Sequence, residues 1–183
     1  MKKFGVKEIV ATAIGASLFF VLGRFVAIPS GIPDTNISVQ YGMLGFFAAA
    51  FGPIVGVLAG LIGHFFIDFS YGWGVWWSWV IASAVCGLIM GFGMIKVNIN
   101  EGEFGKKGLI KFNITQVVAH LISWAVVAPL LDILMYAEPA NKVFVQGLVS
   151  AGVNIVTTAI VGSILLFAYV AAIPKKGSLK EEE

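Results

Sequence analysis

Charge is scarce in this sequence. Only 12% of its 183 residues are Asp, Glu, Lys or Arg, about half the share of an ordinary soluble domain. The net charge of +2 is too small and too unevenly placed to suggest a nucleic-acid partner. One cysteine, Cys86, lies in an apolar run, which excludes a disulfide framework and a thiolate metal site. Catalytic motifs are missing too. GEFGKKG at 102–108 lacks the G-x4-G-K-[ST] spacing of a phosphate loop. There is no HExxH, no pair of intramembrane aspartates and no serine–histidine motif of a membrane protease. The chain therefore reads as a non-enzyme with no cofactor. Its two halves do not align as an inverted repeat, which argues against an ordinary secondary transporter.

What the chain has in abundance is apolar sequence. Hydrophobic residues make up 58% and the mean hydropathy is +0.93. The apolar residues form runs near or above the roughly 20 needed to cross a bilayer. The expected fold is an all-α membrane protein: one integral domain over 1–183, with spans at about 7–28, 38–51, 53–68, 73–95, 112–135 and 144–173. The second and third share an apolar stretch, 39–67, whose only ionisable group is His64. That stretch is long for one span and short for two, and Gly52-Pro53 divides it. The basic N-terminus superficially resembles a secretory signal, but its small residues Ala11 and Ala13 lie inside the apolar run, so it is read as uncleaved.

Charge placement decides the number of spans. Ten of the twelve basic residues fall in three clusters: Lys2, Lys3 and Lys7; Lys96, Lys106, Lys107 and Lys111; Lys175, Lys176 and Lys180. Six spans put all three on the cytoplasmic side, as the positive-inside rule requires, and five do not. Both termini are then expected in the cytoplasm. Asp34, Asp68, Glu138 and Lys142 fall outside, beside a tryptophan group at Trp73, Trp76, Trp77 and Trp79.

A polar side chain in hydrocarbon needs a partner, a cavity or a role. His64 and Asp68, four apart on one helix face, are either ligand contacts or a structural ion pair. Gln116, His120 and Trp124 recur at every fourth position and form a stripe able to bond and stack a flat polar ligand; alternatively they face the bundle. Ser150, Asn154 and Thr157 share a face, with Gln146 one turn outward. Asn154 is the strongest ligand candidate, because a mid-membrane amide has four hydrogen-bonding positions to satisfy. Trp76 and Trp79 are candidate pocket walls, while Trp73 and Trp77 suit an interfacial belt. The 34–40 loop, with Asn36 and Gln40, is expected to close the pocket. This set is neutral-polar and aromatic, and so suits a flat uncharged heterocycle. ATAIGAS in the first span offers small residues four apart for close helix approach.

Several stretches resemble the substrate-binding S components of energy-coupling factor (ECF) transporters: ATAIGAS, LGRFVAIPSGIPDTNISVQYG, FGPIVGVLAGLIGH and WWSWVIAS. The resemblance runs through most of the chain. It implies a multi-pass protein of a prokaryotic plasma membrane that binds its ligand near the outer face. It also implies partners, a transmembrane coupling (T) subunit and two ATP-binding cassette ATPases. Ala11, Thr12, Gly15 and Ala16 are expected to dock on the coupling subunit. The subgroup looks most like proteins assigned to hydroxymethylpyrimidine or pyridoxine-like compounds, or to riboflavin. The rival reading is a stand-alone facilitator or channel.

Overall fold

The computed structural model describes residues 4–29, 31, 36–72 and 74–173. Trp73, Asp34 and five of the clustered lysines (Lys2, Lys3, Lys175, Lys176 and Lys180) lie outside them. Helix α1 (Val6–Phe25) leads to a two-residue antiparallel ladder, β1 (Ile28–Pro29) with β2 (Asn36–Ile37). Then follow α2 (Gln40–Phe51), α3 (Pro53–Tyr71) and α4 (Trp77–Met94). A 3₁₀ turn (Ile99–Glu101) precedes α5 (Lys106–Ile122), a π turn (Ser123–Val127), α6 (Ala128–Tyr136) and α7 (Ala140–Ala171).

Five of these rods are long and apolar enough to cross a membrane: α1, α3, α4, the continuous Lys106–Tyr136 rod, and α7. Helix α2 has 12 residues and so reaches only about 18 Å at 1.5 Å per residue. The expected second span is thus shorter than a bilayer core. Nine of its residues are buried, so the surrounding helices, and not lipid, enclose it. The chain reverses at Gly52-Pro53, where proline takes the first position of α3, a site where its missing N–H has no cost.

The start of α1 and the end of α7 meet at one end of the bundle. Asn100 ties them: its side-chain Oδ1 accepts from Lys7 Nζ at 2.9 Å and Tyr169 Oη at 2.7 Å, and its Nδ2 donates to the Ala50 backbone carbonyl at 2.5 Å. The β1–β2 ladder and residues 74–76 and 137–139 lie at the opposite end, here called the loop end.

Helices α3 and α4 touch backbone to backbone. A β-carbon on Gly87 would fall on the carbonyl of Gly56, and one on Gly60 would lie 2.7 Å from the Ser83 carbonyl oxygen. That seam holds Ser83 beside His64.

The small stripe of α1 also packs inward. Ala11, Thr12, Gly15 and Ala16 are all buried, and a β-carbon on Gly15 would be 3.1 Å from Phe47 and 3.3 Å from Ala59. Ala11 and Gly15, expected to dock on the coupling subunit, lie here against α2 and α3. Thr12 and Ala16 line a groove between α1 and α3 together with the exposed Ala13 and Ser17.

The long α5–α6 rod is interrupted for a local reason. Pro129 has no N–H to donate, and its ring crowds the carbonyl four residues earlier. The ladder widens over Ser123–Val127, where the Ala128 N–H reaches back five residues to Ser123. In an uninterrupted helix Asp132 would lie about 80° around from Trp124; one extra residue in the turn brings it to within about 20°.

Candidate functional site

At the loop end lies a cavity of about 340 Å³. Its walls come from the last turns of α3 (His64, Asp68), the start of α4 (Trp76, Trp79), the end of α6 (Asp132), Glu138, and the first turns of α7 (Lys142, Val143, Gln146). Two carboxylates organise it. Asp132, only 2% exposed, accepts three hydrogen bonds. Trp76 Nε1 donates to Oδ1 at 2.6 Å, Trp79 Nε1 to Oδ2 at 2.7 Å, and Ser78 Oγ donates to Oδ1. Asp68 Oδ2 accepts the Trp76 backbone N–H at 2.9 Å, and its Oδ1 lies 3.6 Å from His64 Nε2. Both tryptophans at the head of α4 are therefore held by charge-assisted bonds to Asp132, on a helix distant in sequence.

Stacking fixes the rings further. Trp76 stacks on Tyr136 with centroids 4.3 Å apart, and Trp79 on Trp124 at 5.5 Å. Below Trp79 the polar residues form a chain. His64 Nδ1 is 2.6 Å from Ser83 Oγ, which is 2.9 Å from Tyr41 Oη. The Tyr41 ring meets His120 and Trp124 edge-on, at 5.7 and 5.0 Å. Trp124 Nε1 donates to His120 Nδ1 at 2.9 Å, and His120 Nε2 is 2.9 Å from Thr158 Oγ1.

The sequence candidates thus divide into layers. His64, Asp68, Trp76 and Trp79 line the cavity. His120 and Trp124 are fully buried one layer beneath, bonded to each other. Asn154 is 5% exposed, and its side chain makes no hydrogen bond among the described residues. On its helix face Thr158, not Thr157, reaches His120. Gln40 is buried at the head of α2, where its side-chain oxygen accepts from Ser38 Oγ at 3.1 Å and lies over Gly23. Asn36 is exposed in β2. Trp77 is exposed and its backbone N–H donates to Tyr136 Oη.

Sequence reasoning missed Asp132, Ser78, Ser83 and Tyr41. A signal for Asp132 existed: it is the one carboxylate within the apolar span 112–135, and an ionisable group there is a functional candidate in its own right.

The chain belongs to the family described as ECF-type riboflavin transporter, S component, whose model matches residues 3–171. It is 50% identical over 184 residues to a UPF0397 protein of Staphylococcus aureus strain MSSA476, and 49% identical to one of strain Newman; each match covers 100% of both chains. No solved structure matches. Membership makes it a multi-pass protein of the prokaryotic plasma membrane and a transporter component.

Proposed function

We propose that this S component captures a small vitamin-like ring compound in the loop-end cavity and passes it inward only as part of an ATP-driven complex. The loop end faces outward in this reading, and α2 serves as a sixth, shortened crossing with both termini in the cytoplasm. The observation that carries the proposal is the pair of indoles, Trp76 and Trp79, clamped by one buried carboxylate at the cavity wall. Rigid indoles present large flat surfaces without losing rotamer freedom on binding, which is what recognition of a planar ring requires. Partners are a coupling subunit and two ATPases, and the groove lined by Thr12, Ala13, Ala16 and Ser17 is the docking surface for the coupling subunit.

Uptake tests the assignment. Cells carrying the chain with its coupling subunit and ATPases should accumulate ligand, and cells carrying the chain alone should not. Full transport by the chain alone would favour a self-sufficient facilitator and overturn the proposal.

Asn154 is assigned a ligand contact, since the residue is only 5% exposed and its side chain makes no hydrogen bond among the described residues. Asn154→Ala is expected to weaken binding roughly tenfold, the value of one lost hydrogen bond of about 1.4 kcal/mol. A calorimetric titration with unchanged affinity would return Asn154 to a purely structural role.

A further inference from the structure

The cavity lining is unbalanced in charge. Asp68, Asp132 and Glu138 stand against a single ammonium among the described lining residues, Lys142, whose Nζ lies 2.9 Å from Glu138 Oε2. Asp132 is surrounded by neutral donors, two indoles and a hydroxyl, each giving it a proton to accept and none giving it a positive charge. Asp68 has a backbone N–H and His64. Even a protonated His64 would leave the lining one positive charge short.

The aromatic walls bias the cavity the same way. An indole whose N–H is donated to a carboxylate is polarised toward its ring, and an electron-rich indole face is the best aromatic partner for a cation. Trp76 and Trp79 are both bonded in this way to the same Asp132. Each is covered on one side, by Tyr136 and by Trp124, and gives other surface to the cavity wall.

We infer that the cavity selects a flat aromatic ring bearing a positive charge, an N-alkylated or protonated nitrogen heterocycle, over its neutral and carboxylated counterparts. The inference rests on the reading that this cavity is the substrate site, and it replaces the uncharged heterocycle expected from the sequence. That expectation counted amides, imidazoles and indoles but omitted Asp132. In a poorly screened site an anion brought beside Asp68 and Asp132 meets repulsion, and the one described lining ammonium, Lys142, already lies 2.9 Å from Glu138, whereas a cation supplies the missing charge.

Three probes of nearly equal shape test this on the full chain in lipid nanodiscs: ring-N-methylated nicotinamide (cationic), nicotinamide (neutral) and nicotinate (anionic). Tryptophan fluorescence and calorimetry would report binding. The cation is expected to bind at least about tenfold more tightly than nicotinamide, with no saturable binding of nicotinate. Asp68→Asn and the more peripheral Glu138→Gln should each reduce that preference, with unfolding temperatures confirming that both variants fold. A neutral or anionic ring that binds as tightly as the cation overturns the inference and leaves the transport proposal standing. A preference that survives both substitutions overturns its assignment to the carboxylates. Failure of all three probes to bind overturns it too, while ATPase-dependent uptake still reports separately on transport.

Discussion

Asp132→Ala is expected to abolish ligand capture and to destabilise the folded bundle by about 3–5 kcal/mol, the cost of leaving several buried donors without an acceptor. The side chain is 2% exposed and serves Trp76, Ser78 and Trp79 together. Its loss frees two indoles from their shared acceptor and removes three hydrogen bonds between the end of the α5–α6 rod and the head of α4. Asp132→Asn separates the two effects. An asparagine oxygen can still accept from Trp76 and Ser78, but its amide nitrogen would face the Trp79 N–H, donor against donor. That variant should therefore fold with a smaller penalty, show altered Trp79 fluorescence and bind ligand weakly. Thermal unfolding in detergent and ligand titration would check both. An alanine variant with wild-type stability and affinity would show that the indoles need no anchor.

Gly87→Val is expected to prevent the bundle from forming, with a penalty above about 4 kcal/mol, because the new atoms would have to occupy backbone and not a yielding side chain. Any β-carbon at this position falls on Gly56 of the facing helix. The two helices would have to separate, and Ser83 would move away from His64. Gly152→Ala is the matched control. Gly152 is exposed on α7, and a methyl group there would meet no atom within 4 Å. The change should be neutral or stabilise by up to about 1 kcal/mol through helix propensity. Membrane expression level and unfolding temperature distinguish them. Equal stability of the two variants would mean that the α3–α4 seam does not depend on close backbone approach.

The legibility of the site followed helix regularity. His64 and Asp68 lie on an uninterrupted stretch of α3, and their spacing correctly placed them on one face. Trp76 and Trp79 also stood out, as part of a dense tryptophan group. Asp132 was passed over although it continues the every-fourth-position series of Gln116, His120 and Trp124, and the π turn ahead of Pro129 brings it closer still to the Trp124 face. The small residues of α1 were legible as a close-packing stripe, but their partner was not: Gly15 meets Phe47 and Ala59 within the chain. Spacing records that a helix can be approached closely and carries no information about which helix approaches.

Scarce charge and long apolar runs were enough to establish a membrane-embedded helical protein, since they leave no other way to satisfy the backbone. Motifs spread along the chain were enough for the family, and Gly52-Pro53 for the break between α2 and α3. Packing in three dimensions was needed to show that α2 is a short, enclosed helix, that α1 turns its small face inward, and that Asp132 clamps Trp76 and Trp79. These features depend on contacts between separate helices or on a local change of helix type, as in the Asp132 bonds across separations of 56, 54 and 53 residues. Local periodicity describes one helix at a time, whereas a binding cavity is defined by how several helix ends are rotated against one another.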